Sequence, residues 1–539
     1  MTSSVQMRAL HLNLNCSCNK LFLSSAQYVT LQKIFLTSKF RYLFVQTPTN
    51  KTKIGTGTAN RWERLLNLNW QQRLSLLLIN LLWDSHGVLA LVGFVVEWTL
   101  NFLALNGSLW TLPFRCIFHF NKLVFPKEGE SNYHTLIWQL DPRTKLYTDT
   151  SASAKAHSTK TDTDSFPVEG TGSRRTMDIT IMASKLVYEN QEVVKKVVEQ
   201  DWNMHFVGFY TCWNECHKKR STEAFVFADK PHNMNAIVIV WRGTEPFNTW
   251  DWSTDIDFSW ARFQNGMAVH LGFLEALGLC HPTSGLSDDI IANDSQMLAY
   301  DDITKIVAKL LLDNPHAQLF VTGHSLGGAL AAVYGAMLHY NAETEITDRL
   351  AAVYTFGQPR VGDQNFANYA NEKLKGHYNR VVYCNDIVPR VPFDNKLFQF
   401  KHFGGCHYYD SWYNGMILPE EPERNFFAFH FIRLRITAFW ELVQCAFILT
   451  IRHGPQYQES TVSLLARVVG LTLPGVVAHN PLNYVNAVRL GPCPLAETIK
   501  KDIFQTLRSV FLALPALPGN ALWDYLYDKL STGAQKPRQ

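Results

Sequence analysis

The first 62 residues contain neither aspartate nor glutamate; Glu63 is the first acidic side chain of a 539-residue chain. Basic and hydroxyl side chains are plentiful there, the composition of a transit peptide or of a tail without its own core, so a plastid address is one expectation. No uninterrupted apolar run accompanies it, which argues against a secretory signal. Charge is scarce throughout: 18% of residues are charged, and 50 Lys+Arg against 46 Asp+Glu leave only +4. So weak a balance gives no argument for a nucleic-acid partner, and none is expected. The ten cysteines are scattered. Cys16 and Cys18, and Cys212, Cys216 and His217, lack a second pair at metal-ligand spacing, so no metal is expected. An organic cofactor is not implied either, and no internal repeat is present.

Apolar and aromatic residues are abundant, at 47% and 13%. That is enough for a sizeable core, and the aromatics suit apolar pockets and lipid interfaces. Three apolar stretches crowd between Leu74 and Phe125: LSLLLINLLW, broken by DSHG; VLALVGFVVEWTLNFLAL, broken by NGS; and an aromatic third stretch. As a helix the middle one would be about 27 Å long, close to a bilayer core. Glu97 and Asn101 lie inside it, and a mid-membrane carboxylate costs about 2.5–3.5 kcal/mol, against about 0.3–0.6 gained per large apolar residue. A helical hairpin or shallow insertion at a lipid surface is therefore expected rather than a clean span, with packing on the downstream domain as the alternative.

Residues 148 to 176 are rich in Ser, Thr, Gly and Lys and read as a linker. Beyond them, the runs 236–241 (AIVIVW), 318–322 (QLFVT), 351–356 (AAVYTF) and 380–383 (RVVY) read as strands. Helical patterns over 301–312 and 326–338 lie among them. This alternation predicts an α/β domain with a mostly parallel central sheet.

Gly323-His324-Ser325-Leu326-Gly327 directly follows QLFVT and directly precedes a small-residue helix. Gly-x-Ser-x-Gly in a strand-turn-helix setting exposes a serine hydroxyl on a tight turn, which makes Ser325 the candidate nucleophile. The helix behind it aims its peptide dipoles at a developing oxyanion, with the Leu326 amide as one donor. A second donor is expected from an early strand-end loop. The acid should follow the serine in the chain, and the histidine should follow the acid. Asp386 sits just past RVVY, where loops reach the carboxyl edge of a parallel sheet. Asp363, Asp394 and Asp410 are its rivals, Asp363 reading more simply as a helix cap. Spacing leaves the base open among His402, His407, His430, His453 and His479.

GHSLGGALA, taken with VIVWRGT (238–244), VHLGF (269–273), YTFGQPRVGD (354–363) and NDIVPRVP (385–392), resembles the class 3, fungal-type triacylglycerol lipase family. With the apolar N-terminal block and HNPLNYVNAVRLG (479–491), it is most like the plant oil-body branch. The resemblance implies an α/β-hydrolase fold, His479 as general base beside Ser325 and Asp386, and Thr244 as the second oxyanion donor. It also implies a mobile lid over 245–260 carrying Trp250, Trp252 and Phe258, although aromatic spacing alone does not separate a lid from core. The expected activity is hydrolysis of triacylglycerol and other neutral lipids, without cofactor, at a lipid-droplet or membrane surface. The expected organisation is a basic extension (1–62), an apolar lipid-association region (63–147), the linker, a hydrolase domain (177–495) with an apolar helical insertion (about 426–477), and a helical tail (496–539). The insertion between Asp386 and His479 and the acid-free start are departures from the family pattern.

Overall fold

The computed structural model describes residues 70–107, 112–118, 122–147, 173–214, 219–246, 248, 260–263, 265–279, 297–395, 398–425, 431–472 and 474–491. The extension, the linker up to residue 172, the tail and the lid aromatics Trp250, Trp252 and Phe258 lie outside these residues, as do Cys216, His217 and His430. The last four residues expected in the linker, 173–176, instead cap and open a helix.

Eight strands form one sheet in the order β1-β2-β3-β6-β7-β8-β9-β10. They are β1 (His205–Asn214), β2 (Lys219–Ala228), β3 (Ala236–Trp241), β6 (Gln318–His324), β7 (Leu350–Phe356), β8 (Tyr378–Tyr383), β9 (Cys406–Tyr409) and β10 (Gly415–Leu418). The contacts from β3 to β9 are parallel, and antiparallel pairs close both sides. A separate pair, β4 (Trp260–Arg262) with β5 (Ala268–His270), lies outside this sheet. The fold is thus α/β and mostly parallel, as expected. All four strands read from the sequence are present, and the antiparallel edges are additional.

The apolar continuity of β3 has a direct cause. Ile237, Ile239 and Trp241 enter one hydrophobic cluster, while Ala236, Val238 and Val240 enter the cluster on the opposite face. A strand covered on both sides needs apolar residues at every position rather than at alternate ones.

Helix α1 (Trp70–Asn106) runs unbroken through the DSHG segment, where the sequence predicted a stop. Helices tolerate isolated Asp, Ser, His and Gly at modest cost, and a Cβ on Gly87 would meet nothing within 4 Å. The later break is real: the helix ends at Asn106, and Gly107 takes φ +95°. The polar groups inside the apolar run are satisfied by protein. Asn101 receives the His134 amide at 2.9 Å and donates to the His134 carbonyl at 2.7 Å. Glu97 accepts from the Leu136 amide at 2.9 Å, and Asn106 exchanges two hydrogen bonds with the Val124 backbone. Val88, Leu91, Phe94 and Val95 are exposed.

Short helix α2 (Leu136–Leu140) leads towards α3 (Arg174–Leu186), which covers one sheet face. Helices α4 (Ala299–Asp313), α5 (Leu326–Tyr340) and α6 (Gln364–Lys373) cover the other. Within the insertion, α7 (Phe431–Val443) continues through a π-helical turn (Gln444–Ile448) into α8 (Leu449–His453), and α9 (Thr461–Gly470) follows. Helix α10 (Pro481–Leu490) packs back on α3.

Candidate active site

Three strands deliver the site to one edge of the sheet. Trp241 pairs with Gly323, and His324 with Phe356, so β3, β6 and β7 end side by side. Ser325 follows β6 with φ +60° and ψ −132°, a conformation costly for a residue with a side chain. Two features maintain it: the Ser325 amide donates to the Phe356 carbonyl at 2.9 Å, and α5 starts immediately afterwards. The turn depends on glycine for space, because a Cβ on Gly327 would lie 2.1 Å from the Trp241 carbonyl oxygen.

The Ser325 hydroxyl donates to His479 Nε2 at 2.7 Å, and His479 Nδ1–H donates to Asp386 Oδ2 at 2.7 Å. Asp386 is fully buried, Ser325 nearly so, and the His479 side chain retains 16% exposure. Asp386 follows β8, and its second oxygen accepts the Val388 amide at 2.8 Å. His479 ends a short 3-10 turn directly before α10.

The rival residues lie in other roles. Asp363 caps α6, accepting from Phe366 at 2.9 Å. Asp394 pairs with Lys401, and Asp410 ties a turn through the Trp412 and Asn414 amides. His402 contacts the Pro389 carbonyl, His407 lies on β9, and His453 stands edge-on to Tyr413.

Four supporting residues lay inside quoted motifs but were not singled out by the sequence reading. Tyr484, one turn into α10, donates its hydroxyl to Asp386 Oδ2. Burial first, and the Asp386 charge second, keep that phenol well above its ordinary pKa, so it remains a donor. Arg390 clamps the acid loop by donating to the carbonyls of Asp386, Cys384 and Pro422. Gly357, at φ +60°, leaves room for the pair, since a Cβ there would be 2.9 Å from both Asp386 Oδ2 and the His479 ring. His324 stacks on His479 with ring centroids 4.5 Å apart. Its Nε2 faces the His479 carbonyl at 2.9 Å and must carry the proton, so Nδ1 accepts from the Tyr188 hydroxyl at 3.0 Å.

Burial, and then the neighbouring His479, hold the His324 imidazole well below its ordinary 6.5. An unfolded chain takes up a proton at this position below about pH 6.5, whereas the folded chain does so only at much lower pH. Stability present above 6.5 is therefore lost as pH falls from there towards the folded value. The slope approaches at most about 1.4 kcal/mol per pH unit. Denaturation midpoints between about pH 7 and 5 should fall less steeply for His324→Gln than for the parent. Equal slopes would show that His324 is not the group being titrated.

Directly after β3, Arg242 is held by Glu223 at 2.7 Å and Glu245 at 3.0 Å. Gly243 lies against the nucleophile turn: a Cβ built on it would be 3.1 Å from Ser325 Cβ and 2.5 Å from the His324 carbonyl oxygen. Thr244 follows at once. Trp260, at the end of the expected lid segment, stacks on Phe400 at 3.8 Å and belongs to the packed domain. The arrangement as a whole can deprotonate a hydroxyl while it attacks an ester carbonyl and return the proton to the departing alcohol.

A family model described as class 3 lipase matches residues 238–396. A triacylglycerol lipase of Arabidopsis thaliana (OBL1) is 39% identical over 84% of this chain and 92% of its own length. Its namesake in Ricinus communis is 43% identical over 75% and 82%. Among solved structures, the Rhizomucor miehei triacylglyceride lipase aligns at 24% identity over 45% of this chain and 84% of that one, with a TM-score of 0.34.

Proposed function

The chain belongs to the class 3 lipase family, and from that premise we propose that it is a triacylglycerol lipase working at a lipid surface through Ser325, His479 and Asp386. The observation that carries the reading is the continuous relay from Ser325 Oγ through His479 to Asp386, at 2.7 Å for each step.

As the Ser325 oxygen attacks an ester carbonyl, His479 Nε2 takes the hydroxyl proton. Asp386 holds the imidazole in the tautomer that leaves Nε2 free and stabilises the imidazolium. The tetrahedral oxyanion is met by the amides of Thr244 and Leu326, each worth about 3 kcal/mol in reactions of this kind. Collapse expels diacylglycerol, protonated by His479, and leaves an acyl-serine. Water then attacks the acyl carbon, His479 acting again as base, and fatty acid departs. Gly243 packed against Ser325 supports the role of Thr244. In this reading Trp250, Trp252 and Phe258 form the lid, and the exposed apolar stripe of α1 seats the 63–147 region on the lipid.

The test is a comparison of purified full-length protein on emulsified trioleoylglycerol, phosphatidylcholine and galactolipid. The expected order has trioleoylglycerol fastest. A faster rate on either polar lipid would replace this assignment with a phospholipase or galactolipase of the same machinery.

A further inference from the structure

The helices between Asp386 and His479 have an outward side that the site does not use. Along α7, the π-turn and α8, the positions Ile436, Phe439, Trp440, Phe447 and Ile451 form one stripe. Phe439 is 57% exposed, Phe447 67% and Ile451 86%. On α9, Leu465, Val468 and Val469 are exposed as well. Isolated apolar side chains on a surface need no explanation, but a stripe of large ones continued on a neighbouring helix does.

The same helices turn their acidic and hydrogen-bonding groups inward. Glu441 is buried and accepts from the Cys384 thiol at 2.9 Å, two positions before Asp386. Arg467 is buried and paired with Glu459 at 2.8 Å. A narrow cavity between these helices and the site is lined by Asn385 and Ala478, the chain neighbours of Asp386 and His479, together with Leu434, Ala438, Glu441 and Arg467. The outward charges described on α7 and α8 are cationic: Arg435 and Arg452, the latter lying over the Trp412 ring at 5.3 Å.

We propose that the insertion helices 431–470 are a second lipid-docking surface, fitting the phospholipid-coated surface of a neutral-lipid body, and that they lie along that surface rather than cross it. Three observations select this partner. A spanning helix would meet lipid on all sides, whereas this one is fixed to protein through Leu434, Glu441, Gln444 and Leu449. The exposed face joins aromatics to an arginine rim and shows no acid among the described residues, which matches acyl chains beneath anionic phosphates. The insertion also shares an anchor with the first apolar arm. Ser460 donates to the Leu140 carbonyl at 2.8 Å, and Gln139, one residue earlier on α2, donates to Asn101 of α1 at 3.1 Å. Docking on this face would set the adjoining catalytic loops against the substrate surface; that part of the inference rests on the lipase reading above.

The test uses full-length protein, the variant Phe439→Ser/Phe447→Ser/Ile451→Ser, and a control with leucine at the same three positions. Partition onto trioleoylglycerol droplets coated with phosphatidylcholine, with and without phosphatidic acid, is measured by flotation. Turnover of p-nitrophenyl butyrate below its solubility limit is measured in parallel. The serine variant should partition about 100-fold more weakly. It should keep soluble-ester turnover within about twofold. The leucine control should bind like the parent. Unchanged partition of the serine variant overturns the proposal, and so does a leucine control that fails to bind. A serine variant that binds droplets normally but sediments as a smaller species assigns the face to a second copy of the chain, and overturns it equally. Parent protein that docks through this face yet hydrolyses neither ester leaves the docking surface standing and removes the lipase reading instead.

Discussion

Replacing Ser325 by alanine should lower turnover of both trioleoylglycerol and a soluble ester by roughly 10^5-fold, with partition onto lipid droplets unchanged. The size follows from the chemistry. Without Oγ no acyl-enzyme forms, and His479 is left 2.7 Å from an atom that no longer exists. Only oxyanion stabilisation and substrate positioning remain. Adding His479→Ala should cost little more, because the two residues act as one unit and single losses do not add. A fluorophosphonate probe should label the parent and not the variant. Residual turnover within about tenfold of the parent would place the nucleophile elsewhere.

The second large effect concerns stability. Gly327→Ala puts a methyl 2.1 Å from the Trp241 carbonyl oxygen and 2.8 Å from its carbon. Both belong to the backbone of a central strand, and Trp241 is fully buried, so no rotamer change relieves the clash. Either α5 moves off β3 or the end of β3 distorts. The expected loss is about 3 kcal/mol or more, together with activity, because Ser325 and the Leu326 amide begin α5. Gly87→Ala is the contrast: its Cβ meets nothing within 4 Å inside a helix, and the change should stabilise that helix by about 0.5–1 kcal/mol. Denaturant midpoints of the two variants should move in opposite directions. A Gly327→Ala protein as stable and active as the parent would mean that α5 does not pack this closely on β3.

The nucleophile turn was legible because its constraints are local. A strand, a glycine that must clear a backbone and a small-residue helix all fall within about twenty consecutive residues. The four core strands were legible for a related reason: burial on both faces writes itself as uninterrupted β-branched and aromatic runs. Asp386 could be favoured from its place after β8. His479 could not be chosen by spacing, since five histidines follow the acid and nothing in a linear pattern says which one returns to Ser325. Only the family resemblance selected it, and the hydrogen bonds now join it to both partners.

Other features needed the fold. The predicted break at DSHG did not occur, because breaker residues are tolerated where the surrounding helix is long and nothing opposes it. Glu97 and Asn101 looked unfavourable in an apolar helix until the 122–141 segment supplied their partners. Tyr484, Arg390 and His324 lie within recognisable motifs, yet their service to Asp386 and His479 is a matter of distance in space. From sequence alone came the α/β class, the serine and its turn, and the shortlist for its partners, since short-range sterics and two-sided burial leave periodic marks along the chain. Tertiary structure alone decided how the acid is held and which side of the inserted helices is left bare, because contacts between distant segments obey packing geometry and have no fixed interval in the chain.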